Sequence, residues 1–144
     1  MKNSMNILII DDDSVCNFIN TRIAQTSGFF REIRSVSNGK EALEIFDQTG
    51  KGTIATPDII LLDLNMPVMS GFDFIQALNR LEIPNKEAIS IIMLTSSDSI
   101  VDRQYAVSLG IRYYLLKPLT LNNLQSVIFS SNRNGSLLFF QGSS

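Results

Sequence analysis

The chain has 144 residues, 44% of them hydrophobic, with a net charge of −2, one cysteine and no histidine. That is enough apolar material for one folded domain and excludes a disordered chain. The near-neutral charge without a basic stretch argues against direct nucleic-acid binding. The absence of histidine rules out histidine general bases and histidine metal ligands, and a lone Cys16 excludes an internal disulfide, so a reducing cytoplasm is the expected setting.

In chain order, M-K-N-S-M-N-I-L-I-I is too short an apolar run for a signal sequence and is cut off by Asp11, Asp12 and Asp13. No run approaches the roughly 18 apolar residues of a transmembrane helix. The run Asn6–Ile10 reads as a strand. Val15, Phe18, Ile19, Arg22 and Ile23 then recur at helical spacing until Gly28, which suits a helix C-cap. Ile33–Val36 is a weaker second strand. Asn38 is positioned as the N-cap of a second helix carrying Ala42, Leu43, Ile45 and Phe46. Gln48–Thr56 reads as a connector.

Ile59–Leu62 is the third strand, and Ser70-Gly71 opens a third helix with Phe74, Ile75 and Leu78 on one face. Ile89–Leu94 is the fourth strand, followed by a helix that starts at Ser97 or Asp98 and stops at Gly110. Ile111–Leu116 is the fifth strand, and Thr120 opens a fifth helix that turns Leu121, Leu124 and Ile128 inward. Continuous Ile-rich runs indicate strands buried on both faces. Five strands alternating with five helices predict an α/β fold, a doubly wound parallel sheet. The expected domain spans 5–131, and 132–144 is a tail without an output domain, marked by L-L-F-F at 137–140.

Two strands run straight into acids: I-L-I-I into Asp11 and Asp12, and I-I-L-L into Asp63. In the flavodoxin-like order 2-1-3-4-5, strands one and three are neighbours at the switch point, where ligands bind beyond the carboxyl ends. The acids therefore share one crevice. Two carboxylates about 4 Å apart repel by roughly 4 kcal/mol at an effective dielectric near 20. A hard divalent cation offsets that, and Mg²⁺ takes carboxylate, water and phosphate oxygens. Thr95 ends strand four and Lys117 follows strand five at the same edge. Hydroxyl, ammonium and acids together make a metal-plus-phosphoryl site.

The motifs I-L-I-I-D-D-D, I-I-L-L-D-L-N-M-P-V-M-S-G, I-I-M-L-T-S and Y-L-L-K-P, in this order, resemble the CheY-like receiver domain of two-component response regulators. The likeness covers residues 5 to about 130. It implies that Asp63 is the phosphoacceptor, that Asp11, Asp12, Asp63 and the Asn65 carbonyl hold Mg²⁺, and that Thr95 and Lys117 contact the phosphoryl oxygens. It implies a cis Lys117–Pro118 peptide, and a switch that runs from Thr95 to an aromatic on strand five, Tyr114. It implies a histidine kinase or phosphotransfer protein as donor. A downstream protein target would dock on the fourth helix, fifth strand and fifth helix, with a homodimer left open and no membrane or nucleic-acid partner.

Several residues carry plainer readings. Asp13 suits a helix N-cap, Asp58 a solvated strand start, Gly71 a tight turn, and Cys16 a small packing residue rather than a reactive thiol. Strand alternation predicts that of Tyr113 and Tyr114 one is packed and one exposed. An aspartate-nucleophile phosphatase would commonly carry a second acid two residues after the first, where this chain has Asn65. A pseudo-receiver scaffold would lack Mg²⁺ binding and phosphorylation. A flavin or nucleotide site would need a glycine-rich phosphate loop after strand one, which the sequence does not contain. The expected protein is a switch acting on itself, not an enzyme on an external substrate.

Overall fold

The computed structural model describes residues 5–130 and, as backbone, 138–140. Its strands are β1 (Met5–Ile10), β2 (Phe30–Val36), β3 (Ile59–Asp63), β4 (Ser90–Thr95), β5 (Tyr113–Leu116) and β6 (Leu138–Phe140). Its helices are α1 (Ser14–Ser27), α2 (Gly39–Gly50), α3 (Gly71–Asn79), α4 (Ile100–Ser108) and α5 (Leu121–Ser130), with one 3₁₀ turn at Lys86–Ala88. All pairings are parallel, in the order β2-β1-β3-β4-β5-β6. The five expected strands thus stand in the expected order. The sixth was not foreseen: three residues of the L-L-F-F cluster pair with Tyr113, Tyr114 and Leu115 of β5. The rest of the 132–144 tail lies outside the described residues.

The Ile- and Leu-rich runs form the centre of the sheet because helices cover both of its faces. On one face Leu8, Ile10, Ile60, Leu62 and Tyr114 pack under α2, α3 and α4 through Phe46, Phe74 and Ala106. On the other, Ile7, Ile9, Leu61, Tyr113 and Leu115 pack under α1 and α5 through Ala24, Leu124 and Val127. Tyr113 and Tyr114 do point to opposite faces, but both are buried, at 2% and 0% exposure. The expectation of one exposed ring fails because β5 has a covered core on each side.

The helix ends follow local chemistry. Asp13 caps α1 by accepting from the Val15 and Cys16 N–H groups, and Gly28 closes it in the left-handed conformation at φ 76°. Asn38 caps α2 as expected, but the helix runs on to Gly50 and takes in the start of the supposed connector. Ser70 and Asp73 form a capping box on α3. The cap of α4 is Ser99, just beyond the expected Ser97 or Asp98, because Ser97 is held elsewhere. In α5 the fully buried pair is Leu124 and Val127, while Leu121 and Ile128 are half-buried.

Helix α1 inverts its sequence pattern. Val15, Phe18 and Ile19 are exposed, whereas Asn17, Asn20 and Ala24 turn inward. This orientation predicts contrasting costs in urea denaturation. Phe18→Ala should change stability by less than about 0.5 kcal/mol, and Phe74→Ala, at 0% exposure, by about 3–5 kcal/mol. A Phe18→Ala cost above about 2 kcal/mol would place that ring in the core.

Candidate functional site

Parallel pairing brings the strand ends to one edge. Ile10 is level with Leu62, so Asp11 and Asp63 leave adjacent strands side by side. Leu94 is level with Asp63 and Leu116 with Thr95, which places the Thr95 hydroxyl and Lys117 at the same edge. The Lys117 ammonium Nζ lies 3.3 Å from an Asp11 oxygen and 3.3 Å from an Asp63 oxygen. Carboxylate oxygens of Asp11, Asp12 and Asp63 lie within 4.8 Å of one another. Asp11 and Asp63 are buried, and Asp12 is exposed.

Burial, and then the Asp11 charge, push the Asp63 carboxyl up to about 6, against the opposing pull of Lys117 and the Asn65 N–H. The same geometry moves Lys117 in the same direction, which for an ammonium favours the charged form. Burial works against its charge, but Asp11 and Asp63 more than offset it, and its pKa is raised. The site therefore holds a firmly charged ammonium beside a carboxyl whose charge is costly. The raised Cys16 thiol, pushed up by burial and by Asp11, fits its reading as an unreactive packing residue.

A hydrogen-bonded chain leaves the acids. The Asn65 N–H donates to Asp63 Oδ1 at 3.3 Å, and Asn65 Nδ2 donates to Thr95 Oγ1 at 3.4 Å. Thr95 Oγ1 also accepts from the Ser97 N–H at 3.0 Å, and the Tyr114 hydroxyl donates to the Ser97 carbonyl at 3.1 Å. Ser97 Oγ donates to Asp102 at 2.7 Å. Asp13 stays outside the cluster as a cap, as its plainer reading had it. Asp58 does more than sit in solvent: its carboxylate accepts from the Asn6 N–H at 2.8 Å and ties the start of β1. The Lys117–Pro118 peptide is cis, as expected.

Gly71 has a different role from the turn assigned to it. A Cβ there would lie 2.7 Å from the Asp63 carbonyl oxygen and 2.9 Å from Leu64 Cα. The Gly71 N–H meanwhile donates to the Leu64 carbonyl at 2.9 Å. Glycine is needed for close approach behind Asp63, a requirement that only the packed structure reveals.

Residues 7–129 match the family model described as response regulator receiver domain. The chain belongs to the response regulator receiver domain family. The receiver is 31% identical to a two-component response regulator from Cytophaga hutchinsonii, with a TM-score of 0.79 over 90% of this chain and 97% of that one. The chemotaxis protein CheY4 of Vibrio cholerae superposes with a TM-score of 0.71 at 28% identity, over 87% of this chain and 96% of that one. Among curated relatives, a probable transcriptional regulator, ycf27, of Guillardia theta is 32% identical over 85% of this chain and 43% of its own length. The chain spans about half the length of the first curated relatives it matches. Among the described residues, no helix is long and apolar enough to cross a membrane.

The Asp63 shift sets a pH dependence. The folded carboxyl keeps its proton up to about 6, against 3.8 for an unperturbed aspartate. Between those values the folded receiver binds more protons than the unfolded chain, so this group lowers stability as pH rises across that window. In metal-free buffer Asp63→Asn should be more stable than wild type by about 1–3 kcal/mol at pH 8. Thermal unfolding against pH checks this, and the gain should vanish below about pH 4.

Proposed function

We propose that this receiver accepts a phosphoryl group on Asp63 from a phosphohistidine of a histidine kinase or phosphotransfer protein, in a Mg²⁺-dependent reaction. The carrying observation is the Lys117 ammonium held 3.3 Å from both buried carboxylates, with a third acid's oxygen within 4.8 Å. The donor set fits Mg²⁺: it is oxygen only, and the exposed Asp12 leaves the cluster open to water. Asp11, Asp12, Asp63 and the Asn65 carbonyl would hold the ion. When bound, it supplies positive charge against the phosphoryl oxygens and the crowded acids.

The protein's own groups perform the rest. Asp63, ionised above about pH 6, attacks phosphorus; the new O–P bond forms as the P–N bond breaks, and its electron pair returns to the donor imidazole. Lys117 remains charged across the physiological range and neutralises an equatorial oxygen. Thr95 offers its hydroxyl to another. Water later attacks phosphorus, the Asp63 O–P bond breaks with its electron pair returning to the carboxylate, and phosphate leaves. Asn65 and Ser97, each two residues beyond a site residue, provide no carboxylate base for that step, which suits an ordinary reset rate. The absence of an acid at Asn65 likewise favours a switch over a phosphatase acting on other substrates.

The readout runs from Thr95 to Tyr114. A phosphoryl oxygen that draws in the Thr95 hydroxyl also pulls on the Ser97 N–H, and the Ser97 carbonyl holds the Tyr114 hydroxyl. Since the Tyr114 ring is already inside, the movement is passed on through the β4–α4 loop. That movement alters the α4–β5–α5 face, where Ile100, Val101, Tyr105 and Val107 are exposed for a downstream protein. The exposed Val15, Phe18 and Ile19 of α1, which starts beside Asp13, offer an apolar seat for the donor protein. The low net charge favours protein partners over nucleic acid, and the single cysteine suits a cytoplasmic setting.

Incubation with acetyl phosphate and Mg²⁺, followed by intact mass, tests the assignment. Wild type should gain one phosphoryl group, and Asp63→Asn none. Omitting Mg²⁺ or adding EDTA should abolish labelling of the wild type. Equal labelling of both proteins would remove Asp63 from its role.

A further inference from the structure

Helix α1 turns Phe18 and Ile19 outward and Asn17 inward, and that asparagine is tied to the acid loop. Asn17 is 9% exposed. Its Nδ2 donates to the Asp11 carbonyl at 2.7 Å and to the Val36 carbonyl at 3.1 Å. The Val36 carbonyl also accepts from the Asp11 N–H at 3.2 Å. One amide group thus joins the exit of β1, the exit of β2 and the first turns of α1.

The Asp11 carbonyl belongs to the peptide that links Asp11 to Asp12. Holding that oxygen fixes the plane of the peptide from which both acids project. The following link is fixed as well, since the Asp13 N–H donates to Asp11 Oδ1 at 2.9 Å while Asp13 caps α1. Asp12, exposed at the mouth of the cluster, takes its position from these neighbours. Asn17 Oδ1 meanwhile is buried without a hydrogen-bond partner. A buried side chain that commits its donors to carbonyls and leaves its acceptor unpaired is a poor choice for packing alone. Departures of this kind gather where function sets the residue.

We infer that Asn17 is a positioning residue for the metal site: its side-chain amide orients the Asp11–Asp12 peptide so that the two carboxylates converge with Asp63 on one cation. The inference rests on the Mg²⁺ reading given above and adds to it a residue that touches neither metal nor phosphoryl group. Groups that orient ligands in this way typically contribute about 10–100-fold in metal affinity.

The test is titration calorimetry of Mg²⁺ into the full chain without any phosphodonor, paired with the Mg²⁺-induced rise in Tm. Asn17→Leu keeps the branched shape and removes the donors. It should bind Mg²⁺ about 10-fold more weakly and show a smaller Mg²⁺-induced rise in Tm. Asn17→Ser, a smaller side chain that no longer reaches both carbonyls, should shift in the same direction and serves if the leucine variant does not fold. Leu78→Ala, a core truncation in α3 remote from the acids, should lower Tm yet leave the Mg²⁺ affinity within about twofold of wild type. A folded Asn17 variant with wild-type Mg²⁺ affinity, or a loss of affinity no greater than that of Leu78→Ala, overturns the assignment. Failure of the wild type itself to bind Mg²⁺ overturns the metal reading and this inference with it.

Discussion

One ammonium group between two buried carboxylates is the contact on which the rest of the molecule depends. Lys117 reaches Asp11 and Asp63 from the far side of β4, so its position requires β1, β3, β4 and β5 to end at one level. A buried ion pair of this kind adds little net stability, because desolvation consumes most of the attraction. Here the balance is worse, since burial and Asp11 still leave the Asp63 carboxyl pushed up to about 6. The central strands, buried on both faces, carry the stability that the crowded edge gives away. That separation lets one end of the sheet be electrostatically strained while the middle stays packed.

Much of this could be read in the sequence, and the reasons are physical. Ile7–Ile10 and Ile59–Leu62 are continuous apolar runs, and only a sheet covered on both faces hides such runs completely. Their acids, the threonine and the lysine follow at strand ends, so parallel topology alone brings Asp11, Asp63, Thr95 and Lys117 together. What escaped was whatever depends on three-dimensional packing. Tyr113 and Tyr114 look like an inside–outside pair until β5 is seen to be covered on both sides. Gly71 looks like a turn residue until the Asp63 backbone is found 2.7 Å from where its Cβ would stand. Helix α1 misleads most: periodicity identifies an apolar stripe but cannot say whether the protein's own core or another surface meets it.

The inverted α1 also explains how one short helix serves two tasks. Its inward Asn17 engages the loop that carries the acids, and its outward apolar residues remain at the surface one turn away. The chain from Asp63 through Asn65, Thr95 and Ser97 to Tyr114 runs the other way, toward α4. The two directions leave the same pocket on opposite sides of the sheet. Under the proposed function, arrival of a donor and presentation of an altered face to a target therefore need not compete for the same surface.

The sheet's two borders are protected by different means. At the β2 border, Arg31, Glu32 and Arg34 interrupt the apolar pattern, and Arg34 and Glu32 stand 3.9 Å apart. Charges there discourage the stacking of another sheet edge alongside. The β5 border has no such interruption, as Tyr113–Leu116 is wholly apolar or aromatic. β6 lies against it instead and takes up the backbone groups that a foreign strand would otherwise pair with. The open edge on this side thereby passes from the apolar β5 to β6, a strand of three residues that is too short to template a long foreign pairing.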